Sequence, residues 1–170
     1  MDSNNFGNYY EDFNVGEIYK HPLGRTITES DNTWFTLITM NTNPYHFDKE
    51  YSSKSPFKKV LVNSCLTLSI VTGQSVIDLS QNAFANLGWD KVKLPNPVFV
   101  DDTIYSESKI VSKRESESRD YGGILEVKTI GYNQKGEVVI NLNRKFFVYK
   151  KNAEQSKNFR PYPDFNWEDE

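Results

Sequence analysis

Apolar residues in the first half of the chain recur at helical spacing, and polar breaks separate them into two predicted helices. The first begins near Thr28, whose side chain can cap it, with Glu29 and Asp31 in a first turn that favours negative charge. Its apolar stripe consists of Trp34, Phe35, Leu37, Ile38 and Met40. Pro44 must end this helix, because proline cannot continue a helical backbone.

The second predicted helix spans about residues 63–80. Its apolar positions are Cys65, Leu66, Leu68, Ile70, Val71, Val76, Ile77 and Leu79. They cover most of the circumference, so we expect the helix to be buried. Small residues keep it slim enough to lie close against a sheet; they are Ser64, Thr67, Ser69, Thr72 and Gly73.

The second half is rich in β-branched and aromatic residues, which favours strands. We expect strands within residues 87–98, 103–111, 124–132 and 138–150, and an early strand between residues 18 and 25. Residues 133–136 (NQKG) and 120–123 (DYGG) are plausible hairpin turns. The order of elements predicts an α+β fold in which an antiparallel sheet wraps around one central helix.

Such a sheet has exposed edges and one open side, and dimerisation through the sheets would cover them. The 170 residues suit one domain, which we place at residues 1–150. Residues 151–170 form a polar tail that we expect to wrap over the surface or fray.

Composition narrows the classes of partner and location. The contents of 14% aromatic and 37% hydrophobic residues are typical of a globular protein. A net charge of -3 without sustained basic blocks argues against nucleic acid as the main partner. Neither a membrane-spanning apolar run nor a signal peptide is recognisable, and Cys65 is the only cysteine, so we expect a cytoplasmic protein. One cysteine and two histidines also argue against a metal site.

The segment NTNPYHFD, residues 41–48, contains the candidate chemistry. A histidine in a loop, such as His46, is commonly a surface or structural residue. However, Pro44 stiffens the turn before it, and Asn41, Asn43 and Asp48 can orient a ring nitrogen or a water molecule. The loop also leads to the small-residue N-terminus of the second helix, where backbone N–H groups can stabilise a developing negative charge.

The NPYHFD sequence resembles the NPxHxD core of the MaoC-like, or R-specific, enoyl-CoA hydratases. Further segments resemble family motifs in the same order: SPF at residues 55–57, LVNSCLTLSIVTG at 61–73 and PVFVDDT at 97–103. The resemblance covers roughly residues 10–150, and several ordered motifs are far more specific than NPxH alone.

The resemblance implies a hot-dog fold, dimers as the unit, and reversible addition of water to trans-2-enoyl thioesters. In that family an aspartate and a histidine hold one water, and a backbone N–H group polarises the thioester carbonyl. The CoA thioester is the substrate, so the resemblance implies no cofactor and no metal.

His46 matches the family histidine, which makes it the principal acid/base. The family aspartate corresponds to Asn41, and many members have His-Gly where this chain has Asn63 and Ser64. An amide cannot act as a base at neutral pH, but it can orient a water molecule or the imidazole. Asn41 is therefore expected to position one of these.

The departures at Asn41 and at Asn63-Ser64 are typical of a subgroup of the family. The segments TMNTNPYHFD, LVNSCLTLSIVTG, NLGWDKVKLPNPVF, RESESR and YNQKGEVV together resemble the mesaconyl-CoA hydratase (β-methylmalyl-CoA dehydratase) branch. The resemblance implies a methyl-branched enoyl-CoA with a second carboxylate, and itaconyl-CoA is a near neighbour.

The resemblance also implies supporting roles. Ser69 matches a family position that hydrogen-bonds near the catalytic pair, and oxyanion candidates are the backbone N–H groups of Val62, Asn63 and Ser64. Structural alternatives remain open: Asn41 as a residue at a helix C-terminus, Ser69 as a small packing residue, and Asp48 as a residue that ties down the loop.

Four cations could bind CoA phosphates, and the two arginines could also bind a substrate carboxylate; they are Lys58, Lys59, Arg114 and Arg119. The more common alternative for the arginine stretch is a solvated loop at a strand end. Cys65 is expected in the core rather than as a nucleophile, since no base adjoins it. His21, beside Pro22, is expected at the surface.

The leading hypothesis is an acyl-CoA hydratase/dehydratase. The alternative is a non-catalytic hot-dog protein that binds acyl-CoA or serves as an assembly subunit, and the missing aspartate motivates it. A thioesterase shares the fold, but it usually needs a carboxylate that directs water at the thioester carbonyl, and NPxHxD argues against it.

Overall fold

The computed structural model describes residues 6–156, so residues 157–170 of the expected tail lie outside the described residues. The helices are α1 Glu29–Ile38, α2 Lys49–Lys54 and α3 Ser64–Gln74, and the strands are β1 Ile18–Lys20, β2 Arg25–Thr26, β3 Ala83–Lys93, β4 Thr103–Glu115, β5 Gly122–Tyr132 and β6 Val138–Tyr149. A π-helical turn, Val76–Ser80, continues α3. None of the described helices has the length and apolar character needed to cross a membrane.

The sheet is antiparallel, with the strand order β1-β4-β5-β6-β3, and β2 pairs with the start of β4. The predicted turn at residues 133–136 is confirmed: the N–H of Gly136 donates to the carbonyl of Asn133 over 2.9 Å. Gly136 has a φ of 77°, a left-handed conformation that suits glycine. The predicted turn at 120–123 lies too late, because Gly122 and Gly123 already belong to β5.

Helix α3 lies across one face of the sheet, as expected for a wrapped central helix. Gly131 of β5 permits the close approach, since a Cβ there would lie 2.6 Å from Cγ1 of Val71. The first apolar cluster, at the α3 side of the sheet, comprises Ile27, Val62, Leu66, Val71, Val98, Ile104, Val139, Ile140 and Leu142. The second cluster, beyond the end of α3, comprises Tyr10, Phe13, Leu79, Ile110, Leu125, Val127, Phe146 and Val148.

The predicted start of α1 is confirmed by a reciprocal cap. The hydroxyl of Thr28 accepts from the N–H of Asp31 over 3.1 Å, and the Asp31 carboxylate accepts from the N–H of Thr28 over 2.8 Å. The prediction that Pro44 ends this helix was wrong. The helix ends at Ile38, and Pro44 instead opens a 3-10 helix, Pro44–His46, where proline at the first position loses no hydrogen bond.

Most of the apolar stripe of α1 faces outward. Trp34 is 69% exposed, Ile38 70% and Met40 87%, whereas the buried residues of the helix are Asn32 and Thr36. Phe35 alone of the stripe packs against the first apolar cluster, so the inner side of the helix is mostly polar.

The expectation that the second helix is buried all round was wrong. Its sheet-facing residues include Leu66 and Val71, but Cys65, Ser69 and Gly73, spaced four apart, lie exposed on the opposite side. The sheet covers one side of the helix only, so Cys65 is not the core residue that the sequence suggested.

Two segments differ from the predicted strands and loops. Strand β3 begins at Ala83 rather than near residue 87, and it ends at Lys93, so residues 94–98 are not part of it. The long loop after α1 contains the short helix α2, which was not predicted. The early strand is confirmed as β1, and β2 follows it.

His21 is buried, which corrects its expected place at the surface. Its Nδ1 lies 2.8 Å from the Asp78 carboxylate and its Nε2 lies 2.9 Å from the hydroxyl of Ser108. That hydroxyl lies 2.7 Å from the hydroxyl of Thr129. This network could not be predicted from the sequence, because its members come from four segments far apart along the chain.

Two more polar side chains share this interior. Gln74, at the end of α3, donates to the carbonyls of Leu23 and Ile104 and accepts from the hydroxyl of Ser106. Arg144 of β6 donates to Ser75 and Asn86. Burial lowers the pKa of Arg144 to about 10, because the charged form loses its hydration.

We predict that Asp31→Asn reduces the acid sensitivity of the protein. Hydrogen bonds from the N–H and hydroxyl of Thr28, and the Arg25 guanidinium, hold the pKa of Asp31 below its usual value. The unfolded chain then binds the proton more strongly, so the stabilisation is present above about pH 4 and is lost as pH falls further. Urea unfolding from about pH 7 to pH 2 should show a shallower decline for Asp31→Asn, with about 1 kcal/mol less stability at pH 7. The exposed loop variant Asp120→Asn should keep the native slope; an equal change there would contradict the assignment.

We also predict that Ser108→Ala lowers the free energy of unfolding by about 1–3 kcal/mol, because His21 and Thr129 lose their shared buried partner. Urea unfolding followed by tryptophan fluorescence measures this change. Ser118→Ala, in the exposed loop after β4, should alter stability by less than about 0.5 kcal/mol. Equal effects of the two substitutions would refute the structural role of the network.

Candidate active site

The loop that carries His46 is fixed on both sides by side-chain caps. The side-chain oxygen of Asn43 accepts from the N–H of Tyr45 over 3.1 Å and begins the 3-10 helix. The carboxylate of Asp48 accepts from the N–H of Tyr51 over 2.9 Å and caps α2. Asp48 thus ties down the loop after the histidine, which is the structural alternative that the sequence left open.

The imidazole of His46 has a defined orientation. Its Nδ1 lies 3.0 Å from the carbonyl oxygen of Leu61. Because a carbonyl can only accept, Nδ1 must carry the hydrogen, and the neutral ring then has its lone pair on Nε2. The N–H of Leu61 donates to the carbonyl of Tyr45 over 3.0 Å, so the two segments are joined by backbone as well. This tautomer leaves Nε2 available as a base.

A buried asparagine, Asn32, joins the parts of the site. Its Nδ2 donates to the carbonyls of His46, over 2.8 Å, and Leu61, over 2.9 Å. Its Oδ1 accepts from the N–H of Asn63 over 2.8 Å. Sequence reasoning missed Asn32; the signal was a pair of polar residues, Asn32 and Thr36, one turn apart within an apolar helix.

The contacts narrow the oxyanion candidates. The N–H of Val62 donates to the carbonyl of Val98 over 2.8 Å, and that of Asn63 donates to Asn32. The N–H of Ser64, first in α3, has no hydrogen-bond acceptor among the described residues. A helix N-terminus carries partial positive charge, so Ser64 is the group best placed to receive an oxyanion. The oxyanion role itself stays a prediction.

His46 and Ser64 line one cleft of about 390 Å³. Thr67 and Asn96 add polar groups, and the apolar walls are Phe57, Leu61, Val62, Leu94, Pro95, Pro97 and Val98. No lysine or arginine lines this cleft in residues 6–156. The segment after β3, residues 94–98, therefore forms one wall of the cleft.

Asn41 and Ser69 are held by local contacts. The side-chain oxygen of Asn41 accepts from the N–H of Asn43 over 3.0 Å, and no hydrogen bond joins Asn41 to His46 within the described chain. The hydroxyl of Ser69 donates to the carbonyl of Cys65 over 2.8 Å on the exposed side of α3. Their roles toward the substrate remain predictions.

The predicted cations divide into two groups. Lys59 lines an adjoining cavity of about 320 Å³, and its Nζ lies 5.7 Å from the ring centre of Phe99. Lys58 is its exposed neighbour. Arg114 lies roughly 35 Å along β4 from Thr103, at about 3.3 Å per residue, and Arg119 packs over Phe84 beyond that end. Within one chain, the two arginines are thus remote from the His46 cleft.

The chain is similar to two characterised enzymes. It is 29% identical to a mesaconyl-CoA hydratase of Cereibacter sphaeroides over 88% of this chain and 43% of that protein. It is 33% identical to a β-methylmalyl-CoA dehydratase of Chloroflexus aurantiacus over 86% of this chain and 42% of that protein. The chain thus spans less than half the length of these relatives.

Solved structures support the same architecture. A putative MaoC domain dehydratase from Chloroflexus aurantiacus superimposes with a TM-score of 0.82 and 29% identity, over 98% of this chain and 47% of that one. A Mycobacterium tuberculosis protein with a double hot-dog fold superimposes with a TM-score of 0.75 and 18% identity, over 94% of this chain and 53% of that one. The described sheet and helix α3 form a hot-dog fold. A family model described as the MaoC-like domain matches residues 12–130, and the chain therefore belongs to the MaoC-like domain family.

Proposed function

We propose that this chain is an acyl-CoA hydratase/dehydratase, a hydro-lyase that adds water to, or removes it from, the double bond of a 2-enoyl-CoA. The observation that carries the proposal is the shared cleft of His46 and Ser64. The hydrogen bond from Nδ1 makes Nε2 the base nitrogen of the neutral imidazole, and the helix terminus presents an N–H without an acceptor among the described residues. A base and an electrostatic donor on one cleft are what hydration of a polarised double bond needs.

In the hydration direction, the thioester carbonyl oxygen accepts from the N–H of Ser64, which draws electrons away from C3. Nε2 of His46 removes a proton from water as the water oxygen bonds to C3. The enolate closes back to the thioester as C2 takes the proton from the imidazolium. One water is consumed, no redox change occurs, and CoA stays attached. Dehydration is the reverse.

Asn41 replaces the base that the family supplies as an aspartate, so His46 performs both proton transfers in this proposal. Asn41 positions the water or the imidazole through its loop, which its contact with Asn43 keeps in shape. Ser69 lies on the exposed side of α3, where a second subunit would bring it into a buried setting.

For the acyl group, we propose a branched dicarboxylic enoyl chain such as mesaconyl, because the relatives named above act on such thioesters. The apolar walls of the cleft suit a methyl branch. Lys58 and Lys59, which follow the cleft residue Phe57, are the proposed contacts for CoA phosphates.

We further propose a homodimer or higher homo-oligomer. Strand β3 is an edge strand with exposed apolar side chains, among them Phe84, Leu87, Trp89 and Val92. Edge strands of this kind pair readily with another chain. We propose that Arg114 and Arg119 of a second copy approach the CoA, because both are remote from the His46 cleft within one chain.

The alternative is a non-catalytic acyl-CoA-binding protein or an assembly subunit. Asn41 favours it, because the family base is missing there.

We predict that the purified protein hydrates mesaconyl-CoA, itaconyl-CoA or crotonyl-CoA and that His46→Ala lowers the rate at least about 100-fold, since no other described residue that lines the cleft is a base. Loss of the conjugated double bond, where present, and product mass follow the reaction. A water adduct with CoA attached identifies a hydratase, whereas free thiol would identify a thioesterase. Bound but unchanged thioester would support the binding alternative.

We predict that Ser64→Pro lowers turnover about 100- to 1,000-fold without unfolding the protein. Ser64 is the first residue of α3, where proline is tolerated, and Asn63 before it has the extended ψ of 126° that proline requires. The substitution removes the N–H proposed to donate to the oxyanion and also the hydroxyl. Ser64→Ala, which keeps that N–H, should retain activity within about threefold. Equal rates of the two variants, measured with the preferred thioester, would rule out this oxyanion assignment.

A further inference from the structure

We propose that Asn32 is a positioning residue that fixes the tautomer of His46 and holds it in register with the N-terminus of α3. The proposal rests on the function proposed above and identifies what sets the geometry of that site. Asn32 touches neither substrate nor reacting atom, and it acts through the backbone of the residues that do.

Both amide hydrogens of Asn32 and its amide oxygen form hydrogen bonds. Both contacts of Nδ2 go to backbone carbonyls, those of His46 and Leu61, and Oδ1 takes the N–H of Asn63. These three groups belong to the histidine loop, the segment before α3 and the cap of α3. One fully buried side chain therefore joins three segments that are 14, 29 and 31 residues away from it.

The carbonyl of Leu61 links Asn32 to the imidazole. It accepts from Asn32 and from Nδ1 of His46, one hydrogen bond to each side. The bond from Asn32 aims this oxygen, and the aimed oxygen keeps the ring hydrogen on Nδ1. Without Asn32 the carbonyl keeps only the donor on His46, and its peptide is held on one side alone, by the hydrogen bond from the N–H of Val62 to Val98. The ring can then place its hydrogen on Nε2, which is no longer a base.

The third hydrogen bond of Asn32 holds the N-terminus of α3, where the proposed oxyanion donor lies. Oδ1 of Asn32 holds the N–H of Asn63, and the next N–H along the chain is the unpartnered one of Ser64. Asn32 thus sets the distance between the base and the oxyanion donor. Aspartate would lack the two donors, and leucine would lack the donors and the acceptor.

Gln74 offers a matched control within the same chain. Its amide also donates to two backbone carbonyls and accepts from one donor, at the opposite end of α3. Truncation of either side chain to alanine removes two donated hydrogen bonds and one accepted hydrogen bond. Of these two side chains, only that of Asn32 donates to the His46 loop.

The test compares Asn32→Ala with Gln74→Ala by ¹⁵N NMR of the imidazoles, which are only two in this sequence. His46→Ala assigns the signals. In the native protein we expect His46 with a protonated Nδ1 and a bare Nε2. In Asn32→Ala the Nδ1–H form should give way to a mixture of tautomers, and in Gln74→Ala it should persist. The smaller change Asn32→Ser keeps one donor and provides the readout where the alanine variant fails to fold.

Turnover gives a second, independent readout. We expect kcat to fall about 10- to 100-fold in Asn32→Ala with KM changed less than about threefold, and the pH profile of kcat/KM to shift with the histidine. Native His46 spectra in the folded variants, or the same spectral and kinetic loss in Gln74→Ala, would overturn the proposal. If the native protein shows no turnover, the proposed function is refuted but the proposal about Asn32 is not, because the tautomer of His46 is measured without substrate.

Discussion

The carbonyl oxygen of Leu61 is the contact on which the candidate site depends. It receives the hydrogen on Nδ1 of His46 and one hydrogen of Asn32, so both lone pairs are used. Buried polar groups that lose a partner cost about 1–3 kcal/mol each, which leaves the chain few ways to rearrange this junction. The orientation of the imidazole therefore follows from the requirement to pair buried backbone groups near α3.

The same requirement shapes the interior beyond the site. The two apolar clusters are separated by polar side chains around the end of α3, which are Gln74, Ser75, Asp78, Ser106, Ser108, His21 and Arg144. Arg144 has no ion-pair partner in the part of the chain that the structure describes; it donates to the hydroxyl of Ser75, where α3 passes into the π-helical turn. Every buried side-chain polar atom among the described residues has a partner. The hot-dog interior thus combines apolar packing with a network that specifies how the helix sits on the sheet.

The features that could be predicted from the sequence were the local ones. The cap of α1 at Thr28, the turn at residues 133–136 and the long strands follow from neighbours in sequence, and the motif around His46 identified the family. His21 could not be placed, because its partners Asp78 and Ser108 lie 57 and 87 residues away. Asn32 was missed for the same reason. Cys65 was misplaced because periodicity shows that a helix is apolar but not how much of it the sheet covers.

The inner face of helix α1 contacts the candidate site, whereas its outer face exposes apolar side chains. Its inner face gives Asn32 and Thr36 to the site network and packs Phe35 against the first apolar cluster, whereas most of its apolar side chains lie outside. The exposed Trp34, Ile38 and Met40 form the kind of surface that marks a contact with another protein. A partner that packs on this outer face would therefore contact the helix whose inner side holds the His46 loop.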